Sequence, residues 1–231
     1  MSVSISFRED DAFPLARESF VRMCGFGSGT EKHRKMLDSA MKIRELGAEK
    51  IILTALLSEC EPSVIGEAGF EVDGFDIKCD SIFLMEKERI HKVIFYIVTA
   101  GECGCESEQI LDRVYADFWG TAYVDAAYEL LRKDIEARCC QELVLSEAFG
   151  PGYYGMPTDE IKNIFHLLKG EKIGVKCLES CVMVPVKSCA GILFVMEKGT
   201  KMPETCCRDC LGNRSGCRYC SVLHNMQGGN K

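Results

Sequence analysis

Four cysteines close to the C-terminal end stand in two pairs, Cys207-x-x-Cys210 and Cys217-x-x-Cys220, with six residues between the pairs. Thiolates at that spacing form two pincers, and Gly212, Asn213 and Gly216 in the intervening stretch allow the chain to double back. Arg208, Arg214 and Arg218 would offset the charge of a tetrathiolate. Zinc needs only such a closed tetrahedron and an iron–sulfur cluster uses the same ligands, so the spacing predicts one or the other; free thiols on a tail are the alternative. A second pattern, Gly25-x-Gly27-x-Gly29 ahead of a helix, suits either a phosphate at a helix N-terminus or a plain turn with glycine at positive φ. No Walker loop, His-Glu-x-x-His helix or Gly-x-Ser-x-Gly elbow is present, which removes the common kinase, metalloprotease and serine hydrolase chemistries.

The elements that must position such residues are readable from periodicity. Val3, Ile5 and Phe7 alternate with serines, a half-buried strand. A helix is expected around Pro14 to Met23. A second, capped by Thr30 and closed by Gly47, carries the apolar stripe Met36, Leu37, Ala40, Met41 and Ile43. Lys50 to Leu57 and Ile90 to Thr99 read as largely buried strands, whereas Glu71 to Glu86 is ambiguous. From Glu106 to Arg138 the pattern is helical, with Gly120 expected to break or bend it. A Gly- and Pro-rich loop, 149–157, precedes a helix capped by Thr158 and ending at Lys169-Gly170. Val175 to Leu178, Cys181 to Val184 and Cys189 to Met196 are strand-like, with Pro185 limiting the middle one. Strands and helices mix without a βαβ beat, so the class is α+β: a folded domain over 1–199 and a Cys-rich tail over 200–231.

Composition bounds the partners. In 231 residues, 28 basic and 35 acidic side chains leave −7, so nothing global draws the chain to nucleic acid or anionic lipid. No apolar run approaches the roughly 20 residues that cross a bilayer. The first ten residues lack the basic and apolar regions of a signal peptide. Fifteen cysteines is an odd count, and most lie in apolar surroundings, as reduced thiols do. A reducing cytoplasm is expected. None of His33, His91, His166 or His224 sits in the Asp-x-His-x-x-Gly setting of a cobalamin carrier.

The most informative segment joins Pro151-Gly152-Tyr153, Pro157 and a short amphipathic helix to the run from Gly174-Val175-Lys176 through Glu179-Ser180, Met183-Val184-Pro185 and Lys187-Ser188 to Gly191-Ile192. In this it resembles the activation domain of vitamin B12-dependent methionine synthase, and more narrowly the stand-alone relatives of that domain found in anaerobic bacteria, some with a cysteine-rich end. The likeness is specific over 149–192 and looser before residue 100. It implies a C-shaped α+β domain with a twisted antiparallel sheet flanked by helices. The implied ligand is S-adenosylmethionine, and the implied partner is a cobalamin-binding methyltransferase whose cob(II)alamin is reduced by flavodoxin or ferredoxin and remethylated. The nucleophile would then be cobalt, so no catalytic side chain is implied.

By the same resemblance, Gly152 lets the main chain approach the ligand, Tyr153 offers a ring to adenosine or the sulfonium, and Gly150 stands where a small residue meets the ligand through its backbone. Asp125 on the long helix and Glu142 ahead of the loop fall near two ligand-binding carboxylates of the family. The chain departs from the pattern twice: Ala148 takes the place of an arginine, and Leu193 or its neighbour that of a tyrosine. A metal-binding interaction module on the same fold, without S-adenosylmethionine, is the competing expectation.

Overall fold

A computed structural model describes residues 2–201 except 67, 81, 83, 84 and 154. The four tail cysteines, Cys207, Cys210, Cys217 and Cys220, lie outside the described residues. In chain order the elements are β1 (Val3–Ser6), α1 (Glu9–Cys24), α2 (Glu31–Gly47), β2 (Ile51–Cys60), β3 (Val64–Ile65), β4 (Gly69–Val72), β5 (Phe75–Lys78), β6 (Ile90–Gly101), α3 (Ile110–Arg138), β7 (Leu143–Leu145), α4 (Glu160–Leu168), β8 (Lys176–Cys177), β9 (Met183–Val184) and β10 (Ser188–Glu197). Five strands form one sheet in the order β1-β2-β6-β10-β7. Its outer pairs are antiparallel by register. The same sense holds inside, where Gly101 at the end of β6 abuts Lys50 and Ile52 at the start of β2. The class is therefore α+β, as composition and periodicity predicted.

The described residues form two compact units, 2–57 with Tyr96–Arg138 and Leu168–Cys189, and Ser58–Phe95 with Cys139–Leu167 and 190–201. In the first unit, α1 packs on α3 through Ala12, Ala16, Ser19 and Phe20, one stripe at helical spacing. Phe20 stacks on Trp119 with ring centroids 4.0 Å apart, and the buried indole N–H donates to the Ala40 carbonyl of α2 at 2.8 Å. A polar knot joins the same three helices: the Glu9 carboxylate accepts from Arg44 and from the Tyr123 hydroxyl, while Arg44 lies over the Phe13 ring at 4.3 Å. α1 starts five residues before Pro14. Its first turn is acidic, Arg8 grips Asp11 twice at 2.9 Å, and burial of Ala12 and Ala16 holds the earlier turns despite the donor that Pro14 lacks. Gly25 and Gly29, at φ 68° and 62°, serve the reversal between α1 and α2, and Thr30 Oγ1 accepts from the His33 N–H at 3.2 Å.

The second unit is built around phenylalanines. Phe194 on β10 meets Phe70 on β4 and Phe149 edge to face at 5.6 and 5.2 Å, and Phe95 on β6 flanks Phe70 at 6.2 Å. The ambiguous 71–86 stretch contains a β-hairpin: β4 and β5 pair antiparallel around Asp73-Gly74, both at positive φ (51° and 79°). Arg89 closes the unit by donating to Glu197 at 3.1 Å and to the Lys198 carbonyl at 2.7 Å.

α3 runs unbroken through Gly120, contrary to the expected break. A Cβ at that position would lie 2.6 Å from Cys103 Cβ and 2.8 Å from Lys187 Cγ, and the same Lys187 pairs with Asp117 at 2.6 Å. The glycine is there for close approach. Replacing it by alanine gains about 1 kcal/mol of helix propensity but incurs the ~1–3 kcal/mol typical of overpacking. Gly120→Ala should therefore lower stability by about 1 kcal/mol in chemical denaturation, and a stabilised variant would contradict this account of the helix.

Candidate functional site

The 149–157 segment is a bend pinned at both ends. Phe149 is fully buried, and its N–H and C=O exchange hydrogen bonds with Ile192 of β10 at 2.9 and 2.7 Å. Just before it, Ser146 continues the ladder, its N–H donating to the Phe194 carbonyl and its Oγ accepting from the Phe194 N–H, both at 2.9 Å. At the far end Met156 is 2% exposed. Three backbone bonds close the bend: Tyr153 N–H to the Gly150 carbonyl, Gly152 N–H to the Met156 carbonyl, and Met156 N–H to the Tyr153 carbonyl, at 2.9, 2.8 and 2.9 Å. A bend so tied at its base presents its tip to solvent. Tyr153 is 64% exposed and Gly152 is exposed.

The glycines of the bend have different reasons. Gly152 is at φ 91°, and among the described residues a Cβ there would have only Thr158 Oγ1, at 3.8 Å, within 4 Å, so its side is open. A Cβ on Gly150 would stand 3.4 Å from the Ala190 carbonyl oxygen, so this glycine rests on β10. At Gly155, φ 70°, a Cβ would fall 2.7 Å from Asp80 Cβ.

The bend brings Gly150, Gly152 and Tyr153 together, but not Glu142. The Glu142 carbonyl accepts from the Lys198 N–H at 3.0 Å, beside the pairing of Leu143 with Glu197, whereas Gly150 lies against Ala190. Residues 190 to 198 are mostly extended strand, and at ~3.3 Å per residue they span about 26 Å, beyond the reach of an adenosine-sized ligand seated on the bend. Leu193, which with its neighbour is where the resemblance would put a tyrosine, is fully buried. α4 begins at Glu160, two residues after the expected cap Thr158, with the intervening turn closed by Glu160 N–H to the Pro157 carbonyl at 3.1 Å.

Asp125 lies in the first unit, on α3. Its Oδ2 accepts from Ser19 Oγ at 2.9 Å. The residue keeps solvent access, yet enough protein surrounds the carboxyl that burial raises its pKa, against the opposing pulls of Ser19 and Arg22. Burial also pushes the Cys24 and Cys103 thiols up to about 11 and Cys189 to about 12, the direction opposite to a nucleophile's. Among the described residues, no three His, Cys, Asp or Glu side chains are placed to hold a metal, and no helix is long and apolar enough to cross a membrane. A groove of about 520 Å³ runs between α2 and α3, lined by residues that include Lys32, Lys35, Leu111 and Tyr115; the bend contributes nothing to it.

No protein-family model and no curated protein matches the chain. Among solved structures, the fold is similar to the crystal structure of the MetH reactivation domain bound to AdoHcy, with a TM-score of 0.64 over 86% of this chain and 79% of that one, at 13% identity. A likeness at that identity shows the fold.

The raised Asp125 carboxyl has a consequence for stability. The native state holds this proton to higher pH than the unfolded chain does, so stability is fullest below the ordinary aspartate value of 3.8 and declines as pH rises through the folded-state value. Asn keeps an acceptor for Ser19. Asp125→Asn should therefore gain stability relative to the unmodified protein as pH is raised from about 3 to about 7, read from denaturation midpoints across that range, and a relative loss would mean the carboxylate is stabilising where it stands.

Proposed function

We propose that this protein is an accessory reactivation factor for a cobalamin-dependent methyltransferase of the methionine synthase type, and that the 149–157 bend holds S-adenosylmethionine. The reading is carried by one observation: a glycine-hinged bend, rigid at its base, turns an open glycine face and a largely exposed tyrosine ring outward. Sealed beneath packed side chains, the same bend could hold no adenosine. The sequence pattern around it and the likeness of the fold to a reactivation domain seen with AdoHcy support the same reading.

The chemistry supplied from outside the chain is an electron for the partner's cob(II)alamin, from a flavodoxin or ferredoxin, and a methyl group for the reduced cobalt, with the electron pair of the broken carbon–sulfur bond staying on sulfur in S-adenosylhomocysteine. The chain's own contribution is placement. Phe149 and Met156 fix the bend, Gly152 leaves room for the ligand against the main chain, and the Tyr153 ring offers a π face to the adenine or the sulfonium. No side chain needs to become a nucleophile, in keeping with thiols held protonated.

The tail is proposed to bind a metal separately, through Cys207, Cys210, Cys217 and Cys220. Zinc would make it a structural or docking element, and an iron–sulfur cluster would let it pass an electron toward cobalt. Anaerobically purified protein should carry either about one zinc or a chromophore with iron and sulfide, and a Cys207→Ser/Cys210→Ser variant should lose it. Free thiols at full count in the purified protein would remove the proposal.

Calorimetry tests the main reading. S-adenosylmethionine should bind saturably, and Tyr153→Ala should weaken it by about tenfold, ~1.4 kcal/mol, the scale of a lost cation–π or stacking contact. Absence of heat at millimolar ligand would rule the reading out.

A further inference from the structure

The cationic ligand proposed for the bend needs an anion near it, and Glu142, one of the two carboxylates that the resemblance implies, is set off from the bend by the length of β10 between positions 190 and 198, about 26 Å of extended chain. Another carboxylate is in place. Asp80, just after β5, packs directly on the bend: its Cβ would lie 2.7 Å and its Cγ 3.4 Å from a Cβ on residue 155, and its N–H reaches the Gly155 carbonyl at 3.4 Å. Gly155 is thus required twice, for its φ of 70° and because any side chain there would displace Asp80.

Asp80 is also held firmly. Its neighbour Cys79 is fully buried and donates its N–H to the Ala68 carbonyl at 2.9 Å; Ile82 is fully buried and donates to the Cys79 carbonyl at 3.1 Å. Between these anchors the Asp80 side chain is exposed, and no side-chain hydrogen bond or ion pair among the described residues uses its carboxylate. A fixed, solvent-facing carboxylate against a tight bend, with its acceptor oxygens uncommitted among the described residues, is a feature that a bound cation would complete.

We infer that Asp80 is the carboxylate that faces the positive charge of the ligand on the bend and gives the site its preference for the charged sulfonium compound over neutral adenosine thioethers. The inference rests on the reading of the bend as an S-adenosylmethionine site and supplies the residue that sets its charge selectivity. It differs from a purely structural role in one respect: a residue that only shapes the bend affects charged and neutral ligands alike.

The test compares two ligands on two proteins. Calorimetry with S-adenosylmethionine and with neutral 5′-methylthioadenosine is run on the full chain and on Asp80→Asn, which keeps the side chain's shape; circular dichroism verifies that the variant is folded. Asp80→Asn is expected to weaken S-adenosylmethionine by about tenfold while leaving 5′-methylthioadenosine within about twofold, and raised salt should narrow the difference. Unchanged affinity for both ligands would overturn the assignment of Asp80 and leave the bend as the site. An equal loss for both would also overturn it, making Asp80 a support of the bend. If the unmodified protein binds neither ligand, the reading of the bend itself fails and this inference with it.

Discussion

Burial of Phe149 is the constraint on which the bend depends. A phenylalanine removed from water contributes roughly 1.5–3 kcal/mol, and an edge-to-face partner such as Phe194 adds about 0.5–1.5 more. Ordering each backbone residue costs about 1–2 kcal/mol, so a bend with an exposed tip cannot be held by its tip. It is held by its base: the buried ring set edge to face on Phe194, the exchange of bonds with Ile192, and Met156 sunk at the other end. Tyr153 is free to face solvent because nothing about the fold requires it to pack. A binding surface on a rigid base loses less conformational entropy when a ligand arrives, the usual source of affinity in small sites.

The first unit solves a different problem, fixing the register of three helices. Stacking of Phe20 on Trp119 is apolar and tolerant of sliding. The Glu9, Arg44 and Tyr123 knot is not, because each partner satisfies another in a place where a lone charge would be costly. Replacing one member leaves the remaining groups poorly matched. The indole bond to Ala40 works in the same way, since a buried N–H without an acceptor costs about 1–3 kcal/mol. Directional groups thus locate α1, α2 and α3, and apolar contact supplies the bulk of their adhesion.

Much of this was legible in the sequence, for local reasons. α2 was delimited by Thr30 and Gly47, β6 by its β-branched run, and the class by the absence of a βαβ beat, all signals carried by neighbouring residues. The β4–β5 hairpin is ambiguous in the sequence because the surrounding charges obscure its strands, although Asp73-Gly74 is the dipeptide that two adjacent positive-φ positions demand. Gly120 shows the opposite limit. A glycine inside a helical pattern reads as a break, and only the approach of Cys103 and Lys187, distant in sequence, reveals it as a clearance. The early start of α1 likewise follows from burial against α3, which no capping rule contains.

The candidate site divides along the same line. Pro151-Gly152-Tyr153 is contiguous, so its composition announced a turn, and the resemblance added the expectation of a displayed ring. A carboxylate partner is a question of strand register, and sequence separation misleads there: Glu142 is eight residues from Gly150 in the chain, but those residues run out along β10, each step adding ~3.3 Å. Asp80 is seventy-five residues from Gly155 and touches it, because the hairpin returns the chain to the bend. Gly155 itself carried the only local trace of that contact. In a segment already rich in turn formers, one more glycine reads as flexibility, whereas here it marks where two stretches of backbone meet too closely for a side chain between them.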